Sequence, residues 1–586
     1  MGAFRFLLLT AIALGLTPSH ALAQSSKGED CPRPPVASAV PEPQDLASRD
    51  GVLKVDLTYR NFRDASGQMR YCYVSQDGSV APTLRLHPGD WLILTLKNDL
   101  QISSSAPPGQ GMAMPMPMPM PTSAPMPVPD PCADGEMTAL STNLHFHGLT
   151  VPPVCHQDDV LRTMISPGDP AFEYRFQIPP DTPPGLYWYH PHVHGFSNAQ
   201  VQGGASGALI VEGIERADPV LAGLPQRVLV IRDQNLLNPD AAPSKGAVPQ
   251  MPVLHDAEGD VLNTGTGEGK PSKDLSINFV PVPYPDYPPA MIAMKPGERQ
   301  LWRVANASAI TYLDLQILLG GAAQPMGVVS LDGVPIDEGG MLKNRIIWES
   351  HVLMPPGGRI DFVFKAPPEG AHASLITRGV DTGPAGENDP SRPLATIVSQ
   401  VDAPEPRLAL SASPAPPPRQ ISAWLGDVKP AHERKLYFSE RPSDPKDPNS
   451  PTVFMITVDG QDPAPYDPKS MTMPNITVQQ GDVEDWVIEN RSKELHAFHI
   501  HQIHFLLTEW NGVPVDEPFL RDTVNVAYWD GSSPVYPSVK LRMDFRDPNT
   551  VGTFVYHCHL LEHEDGGMMG TIRVLPAPRQ TTSLEK

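Results

Sequence analysis

A short motif occurs three times along the chain, and it limits the fold more than any other feature. In each copy a glycine and an acidic residue begin an apolar run that ends at an asparagine nine positions after the glycine. The glycines are Gly89, Gly297 and Gly481, and the asparagines are Asn98, Asn306 and Asn490. Because the copies lie roughly 200 residues apart, we infer three β domains of common ancestry. We place them at 50–215, 216–410 and 411–578.

The proline and glycine content also favours strands over long helices. The 586 residues include 71 prolines and 46 glycines, which break helices and join short strands through loops. Alternating polarity at 52–59 predicts a half-buried strand, and the apolar run at 91–96 predicts a buried one. The sequence therefore predicts an all-β chain.

The N-terminal residues have the features of an export signal. Residues 1–23 have the pattern of a signal peptide, with Arg5, an apolar stretch, and Ala21-Leu22-Ala23 before the cleavage point. That stretch is too short to span a bilayer, and no later one is long enough. We expect a periplasmic or secreted chain with no membrane span, a loose N-terminal arm at 24–49 and a tail at 579–586.

The net charge of −22 argues against nucleic acid as a partner, because nucleic acid is bound by basic patches.

The cysteines agree with an oxidising compartment. Four of the five lie in the first 155 residues, and they are Cys31, Cys72, Cys132 and Cys155. An even number in an exported chain allows two disulfides, for which three pairings are possible. The fifth cysteine, Cys558, belongs to a different motif.

Paired histidines occur in the first and third predicted domains. Segments 185–192 and 552–559 match in spacing, and each ends in two histidines separated by one residue. An earlier pair precedes each segment, at His145 and His147 and at His499 and His501. The histidines of the middle domain are scattered, without paired spacing, so we interpret that domain as a spacer that holds the other two.

Strand geometry divides these side chains between two sites. In a strand, residues i and i+2 point to the same face, so Cys558 points away from His557 and His559. A cysteine with two histidines and a long axial methionine is the ligand set of a blue-copper centre. Ten of the nineteen histidines lie in four short stretches around such motifs, which disfavours a structural cysteine in a histidine-rich turn. One strand would then serve a copper on one face and a histidine cluster on the other.

These four motifs resemble those of the three-domain multicopper oxidases of the laccase type, especially bacterial laccases and cuprous oxidases of copper homeostasis. The resemblance covers nearly the whole mature chain and implies three consecutive cupredoxin-like Greek-key β-sandwich domains that hold four copper ions. The implied type 1 ligands are His496, Cys558, His563 and axial Met568, which the family spacing favours over Met569. The implied type 2 ligands are His145 and His499. The implied ligands of the type 3 pair are His147, His190, His192, His501, His557 and His559.

The resemblance also implies a reaction. Four one-electron oxidations at the type 1 copper supply the reduction of dioxygen to two waters at the other three coppers, which consumes four protons. Glu564, beside His563, matches the proton-relay glutamate of the family. The matching aspartate is Asp158 or Asp159. We expect His194 and His504, which lie next to the motifs, not to be ligands.

Two kinds of reductant fit this reaction. The first is a small phenolic or aromatic compound, as in laccases. The alternative is Cu(I), as in cuprous oxidases of copper tolerance. The insert at 102–133 bears on this choice because its methionines, which include Met112, Met114, Met116, Met118 and Met120, carry soft thioethers suited to Cu(I). In the copper-homeostasis relatives, however, such an insert lies in the last domain.

Two other copper-protein classes fit the motifs poorly. A non-catalytic copper carrier would leave eight histidines unexplained. In copper nitrite reductases the type 1 cysteine does not lie between two type 3 histidines. We therefore expect an oxidase, and a monomer.

Overall fold

The computed structural model describes residues 31–101, 130–133, 135–242, 253–336, 346–409, 424–447, 449–468 and 472–578. The predicted signal peptide, nearly all of the methionine-rich insert and the C-terminal tail lie outside the described residues.

The first part of the chain folds into two packed sheets. Its strands are β1 (Asp45–Ala47), β2 (Val52–Arg63), β3 (Met69–Ser75), β4 (Thr83–Leu86), β5 (Trp91–Asn98), β6 (His145–His147), β7 (Phe172–Gln177), β8 (Gly185–His190) and β9 (Gly207–Val211). One sheet has the order β1-β4-β9-β8-β6 and the other β3-β2-β5-β7. Apolar side chains at alternate positions of β2 and β5 meet those of the facing sheet in one core. Both predicted strands are present, and β2 is half-buried as expected. The prediction that 91–96 is a buried strand is wrong, because burial alternates along β5 and Trp91 is exposed.

The middle part also has two sheets. Its strands are β10 (Gln226–Gln234), β11 (Asp274–Ile277), β12 (Val280–Val282), β13 (Ala290–Met294), β14 (Arg299–Asn306), β15 (Leu313–Leu319), β16 (Ala322–Gln324), β17 (Met326–Leu331), β18 (Val334–Pro335), β19 (Ile347–Glu349), β20 (Val352–Met354), β21 (Arg359–Lys365), β22 (His372–Arg378) and β23 (Arg392–Ser399). The orders are β12-β11-β10-β14-β21-β17-β18, with β19 on β17, and β13-β23-β22-β15-β16, with β20 on β15.

The last part repeats the arrangement. Its strands are β24 (His432–Pro442), β25 (Thr452–Val458), β26 (Ile476–Gln479), β27 (Val483–Asn490), β28 (His496–Ile500), β29 (Phe505–Trp510), β30 (Val513–Pro514), β31 (Leu520–Arg521), β32 (Thr523–Val526), β33 (Ser538–Asp544), β34 (Gly552–Cys558) and β35 (Met569–Leu575). The orders are β25-β24-β27-β33-β29-β30, with β31 on β29, and β26-β35-β34-β28-β32.

Helices are short in the described parts of the chain. They are α1 (Ser197–Gln202), α2 (Ile214–Ala217) and α3 (Leu561–Asp565). The all-β prediction is therefore confirmed. No helix in these parts has both the length and the apolar character that crossing a membrane requires.

The asparagines of the threefold motif have the same contacts in all three copies. Each is buried at the end of its strand, and its side-chain amide donates to two backbone carbonyls. Its side-chain oxygen accepts from the backbone N–H two residues later, at Leu100, Ser308 and Ser492. Because an unpaired buried amide is costly, this bonding gives a physical reason for the asparagine at each strand end.

The segment before β2 is less loose than expected. A disulfide joins Cys31 to Cys72, β1 pairs in parallel with β4, and the N–H of Val40 donates to the carbonyl of Met291 at 2.8 Å. The prediction of a loose arm is therefore wrong for residues 31–49, because these contacts order the segment. A second disulfide joins Cys132 to Cys155, which resolves the three pairings that the sequence allows.

Candidate metal centre

Strand β34 contributes to two buried clusters of metal-ligating side chains. On one face, Cys558 Sγ lies 3.5 Å from Nδ1 of His496 and 3.8 Å from Nδ1 of His563. The two imidazole Nδ1 atoms are 3.2 Å apart. We call Cys558, His496 and His563 the thiolate site. All three side chains are almost completely buried.

Local pairing brings these three residues together. Strand β28 begins at His496 and runs antiparallel to β34, with Phe498 opposite Cys558. Helix α3 follows β34 after a short turn and carries His563. The chain then returns, so that the N–H of Met568 donates to the carbonyl of His563 at 2.8 Å and the N–H of Cys558 donates to the carbonyl of Met568 at 3.1 Å. These two backbone hydrogen bonds close the segment from Cys558 to Met568 into a loop around the thiol.

The two methionines of this loop have different surroundings. Met568 is fully buried and packs in the same core as Cys558. Met569 pairs with His557 across the sheet and packs against Val160 and Val555. Met568 is therefore the one that shares the surroundings of the thiolate site.

Carboxylates lie against the outer nitrogens of the thiolate site. Nε2 of His496 lies 2.9 Å from Oε1 of Glu440 and 2.7 Å from Oγ of Ser492. Oε1 of Glu494 is 3.4 Å from Nε2 of His563. Contacts of this kind fix the orientation of an imidazole and so direct its other nitrogen toward a metal.

The opposite face of β34 belongs to a cluster of eight histidines, which we call the histidine cluster. Its members are His145, His147, His190, His192, His499, His501, His557 and His559. In the first part of the chain, His145 pairs with His190 across β6 and β8. In the last part, His499 pairs with His557 across β28 and β34. The two sets of strands face each other, so the imidazoles of both parts meet.

The spacing of the nitrogens suits metal ions. Nε2 of His557 lies 3.4 Å from Nε2 of His192 and 3.3 Å from Nε2 of His501. Nε2 of His559 lies 3.3 Å from Nδ1 of His147. With metal–nitrogen bonds of about 2.0–2.1 Å, two ligands of a tetrahedral ion lie about 3.3–3.4 Å apart. Several triplets of these histidines have ligand atoms that all lie within 4.8 Å of one another.

Hydrogen bonding and protonation also fit metal binding. The Nε2 atoms of His145, His190 and His499 are buried and have no hydrogen-bond partner among the described residues. Burial lowers the pKa of His190 to about 3 and that of His557 to about 4. Neutral imidazoles with free, buried lone pairs are what a metal needs as ligands. Burial raises the pKa of the Cys558 thiol well above its usual value, so binding a metal there must displace a proton.

The predicted acids lie beside the histidine cluster, with one exception. Oε2 of Glu564 is 3.3 Å from Nδ1 of His557, and its Oε1 is 3.6 Å from Nδ1 of His192. Both carboxylate oxygens of Asp158 lie 3.1 Å from Nδ1 of His145. Asp159 instead accepts from the backbone N–H of Arg162. The structure thus brings Glu564 and Asp158 to the histidines.

A third acid at the histidine cluster, Asp522, was missed in the sequence. Its Oδ1 lies 3.2 Å from Nε2 of His147, and it forms a buried ion pair with Arg359 of the middle part. Burial alone would raise the pKa of Asp522, but Arg359 and neighbouring groups lower it instead. Burial raises the pKa of both Glu564 and Asp158 well above the usual range. The ion pair therefore favours the anionic form of Asp522, whereas burial favours the protonated forms of Glu564 and Asp158.

The interpretation of the middle part as a spacer is therefore wrong, because Arg359 reaches the site. Gly357 also lies there, and a Cβ atom at this position would meet the imidazole of His559 at 2.9 Å. No spacing rule in the sequence connects these residues with the histidine motifs.

The two extra histidines occupy different surroundings. Nε2 of His504 lies 3.0 Å from the carbonyl of Asp332 and 3.5 Å from Oδ2 of Asp522. His194 lies edge-on to the ring of Tyr466. In these contacts His504 supports an acid of the site.

The fold and the two clusters define a class of protein, namely a cupredoxin-type metalloprotein with one thiolate site and one polyhistidine site. Two segments of the chain match one family of known proteins. Two family models described as multicopper oxidase match residues 137–216 and 445–578. These ranges contain all twelve predicted ligands.

Relatives and solved structures agree. A multicopper oxidase of Staphylococcus haemolyticus is 24% identical over 441 residues, which cover 74% of this chain and 77% of the relative. A laccase of Bacillus subtilis is 21% identical and covers 66% and 69% of the two chains. The structure of a multicopper oxidase from Campylobacter jejuni, described as a metallo-oxidase, aligns with a TM-score of 0.60 at 22% identity, over 93% of this chain and 96% of that one.

Two segments of the chain therefore match the multicopper oxidases, and relatives named multicopper oxidase and laccase support an oxidoreductase that uses oxygen. This family implies copper binding, which the two clusters fit.

Proposed function

We propose that the chain oxidises a one-electron reductant at the thiolate site and reduces dioxygen to water at the histidine cluster. One type 1 copper would be held by His496, Cys558, His563 and Met568. A type 2 copper would be held by His145 and His499, and a type 3 pair by His147, His190, His192, His501, His557 and His559. The observation that carries the proposal is the position of Cys558 on β34 between two members of the histidine cluster.

The four copper ions would supply one-electron redox chemistry and the binding site for dioxygen. The protein supplies the connection between the two sites. Cys558 is bonded through the backbone to His557 and His559, and Nδ1–H of His557 donates to the carbonyl of Cys558 at 2.9 Å. This combination of covalent and hydrogen bonds is a short route for electrons.

The protein also supplies protons. Glu564 contacts two cluster histidines and accepts from the hydroxyl of Ser197 at 3.2 Å. Burial, with a contribution from Asp565, raises the pKa of Glu564 well above its usual range, so at neutral pH it carries a proton beside the site that consumes protons. We assign the same role to Asp158 on the other side of the cluster. The Asp159 carboxylate accepts from the backbone N–H of Arg162, and we assign it no direct proton transfer.

Our first candidate reductant is a small phenolic or aromatic compound. Relatives described as laccases support this choice. The electron would enter through an imidazole of the thiolate site. Outer-sphere transfer of this kind needs no bond between the reductant and copper, so a range of organic donors would serve.

The second candidate, Cu(I), is favoured by the carboxylate of Glu440 at the thiolate site. Both ligand imidazoles are buried, and Glu440 and Glu494 lie against their outer nitrogens. Hydrogen bonding to His496 helps to lower the pKa of Glu440 to about 2 against the opposing effect of burial, so Glu440 is an anion next to the electron entry point. Negative charge there favours a cationic donor. The methionine-rich insert, the other argument for Cu(I), lies outside the described residues.

The test is kcat/KM for Cu(I) and for a phenol, measured on one preparation of the wild type and of Glu440→Gln. Glu489→Gln is the control, because Glu489 has a similar side-chain exposure (14% against 15%) but pairs with Lys435 and Arg491. A cuprous oxidase should lose Cu(I) oxidation selectively in Glu440→Gln. If kcat/KM for Cu(I) is unchanged in Glu440→Gln and lies far below kcat/KM for the phenol, the result would support the laccase assignment instead. Absence of oxygen consumption with both reductants would refute the proposed function.

We further propose export to the periplasm or the exterior, supported by the signal-like residues 1–23 and by two disulfides. We retain the three predicted domain bounds and a monomeric state as proposals. Size measurement in solution tests the monomer.

A further inference from the structure

Asp522 is held by an ion pair and by a neighbouring hydroxyl. Its Oδ1 accepts from Nη1 of Arg359 at 2.8 Å and from the hydroxyl of Thr523 at 2.8 Å, and its Oδ2 accepts from Nη2 of Arg359 at 2.5 Å. Neither Asp522 nor Arg359 has solvent-exposed side-chain area. A planar guanidinium that binds both oxygens of a carboxylate holds it in one orientation.

Arg359 itself is held by all three parts of the chain. Its Nε donates to the carbonyl of Leu186 in the first part at 3.3 Å. Within the middle part it donates to the carbonyls of Gly357 and Asp332, at 2.9 and 2.8 Å. Its ion pair with Asp522 reaches the last part. The position of Asp522 therefore depends on the relative placement of all three parts.

Asp522 contacts the one histidine whose ring is reversed relative to most of the others. Five cluster histidines direct Nδ1 toward an oxygen of the protein, and these are His145, His190, His192, His499 and His557. In His147 it is Nε2 that faces an oxygen, Oδ1 of Asp522, while Nδ1 faces Nε2 of His559 at 3.3 Å. A carboxylate whose two oxygens accept from both arms of a guanidinium has no proton to donate to His147, so the ring proton of His147 lies on Nε2. Its free lone pair is then on Nδ1.

The residue after His147 has to leave room for this arrangement. Gly148 has a φ of +89°, and a Cβ there would lie 2.5 Å from Nη2 of Arg359 and 2.8 Å from Oδ2 of Asp522. The glycine of the first histidine motif is therefore required by the ion pair as well as by its own backbone conformation.

We propose that Asp522, held by Arg359, is a positioning residue that sets the tautomer of His147 and thereby selects Nδ1 as its metal ligand. Through this pair the middle part controls copper binding at the histidine cluster. The inference rests on the proposed function, because it presumes that the cluster binds copper.

The test compares Asp522→Asn with Asp361→Asn. Asparagine has one oxygen in place of two, so it cannot accept from both arms of Arg359 and from His147 together. Asp361 is a matched control, because it forms an equally buried ion pair with Arg303 at 2.6 Å, and it belongs to β21, the strand of Arg359. Each protein is equilibrated at a series of buffered free copper concentrations. Total copper per chain and the blue absorption of the Cys558 site are then measured.

We expect Asp522→Asn to keep the blue absorption and to bind copper at the histidine cluster about 10- to 100-fold more weakly, as for other outer partners of metal ligands. Asp361→Asn should match the wild type in both measurements. Wild-type copper affinity in Asp522→Asn, or an equal loss in Asp361→Asn, would overturn the proposal. A wild-type protein that is blue but binds no further copper would instead refute the proposed function.

A spectroscopic readout tests the tautomer itself. In copper-free protein labelled with 15N-histidine, one buried neutral ring that carries its proton on Nε2 in the wild type should change tautomer in Asp522→Asn and not in Asp361→Asn. An unchanged set of tautomers would overturn the proposal. If Asp522→Asn does not fold, Arg359→Lys replaces it, because lysine keeps the charge but cannot bind both oxygens in the same fork. Wild-type copper affinity at the cluster of Arg359→Lys would also overturn the proposal.

Discussion

Replacing Gly357 by alanine tests whether the middle part shapes the histidine cluster. A Cβ at Gly357 would lie 2.9 Å from Cδ2 and Nε2 of the His559 imidazole, whereas an ordinary contact is 3.4–4 Å. The ring or the loop must therefore move by about 0.5 Å, the difference between 3.4 and 2.9 Å. Functional side chains must hold their positions within about 0.5 Å, and a displacement of about 1 Å can cost about 100-fold in rate. We expect oxygen turnover to fall roughly tenfold.

Backbone strain has to be separated from this contact. Gly357 has a φ of +83°, so alanine also adds strain of about 1–2 kcal/mol. Gly370 has a φ of +73° and nothing within 4 Å of the added Cβ, so Gly370→Ala carries the strain without the contact. Both variants should lose similar stability in copper-free denaturation. Only Gly357→Ala should lose oxygen turnover and copper at the histidine cluster, while the blue absorption stays. Equal activity of the two variants would refute the reasoning.

Three further predictions concern the last ligand motif. Cys558→Ser should abolish the blue absorption and nearly all activity while the histidine cluster still binds copper, and a blue variant would refute the type 1 assignment. Met568→Leu should raise the type 1 potential, by about 59 mV for each tenfold loss in the relative affinity for the oxidised ion, whereas a potential that responds to Met569→Leu alone would show that the wrong methionine was chosen. Glu564→Gln cannot carry a proton, so oxygen turnover should fall by about 100-fold or more in stopped-flow measurements, with reduction of the thiolate site unchanged. Equal loss of both half-reactions would mean that Glu564 merely supports its neighbours.

Local spacing predicted which side chains meet at the two sites, because strands convert spacing directly into geometry. His557 and Cys558 end β34 and His559 follows directly, so the division of these alternating side chains between two sites follows from the sequence alone. The same rule holds for His499 and His501. The threefold asparagine motif was recognisable for a similar reason, since each copy caps its strand within a few residues.

Long-range partners could not be predicted in this way. Arg359 and Asp522 are 163 residues apart and become neighbours only when three parts of the chain pack together. A single aspartate before a strand resembles many others, so nothing in the sequence distinguishes Asp522. The choice between Asp158 and Asp159 also depended on which side chain turns inward. Likewise, the order of residues 31–49 depends on the disulfide to Cys72 and on pairing with β4.

The assignment of four coppers to twelve ligands is tested most directly by anomalous X-ray scattering at the copper edge, on crystals of the fully loaded protein. We predict four peaks. One should lie among Cys558, His496 and His563, and three should lie among the eight imidazoles of the histidine cluster. A map with no peak beside Cys558, or with fewer than three peaks in the histidine cluster at full loading, would contradict the assignment.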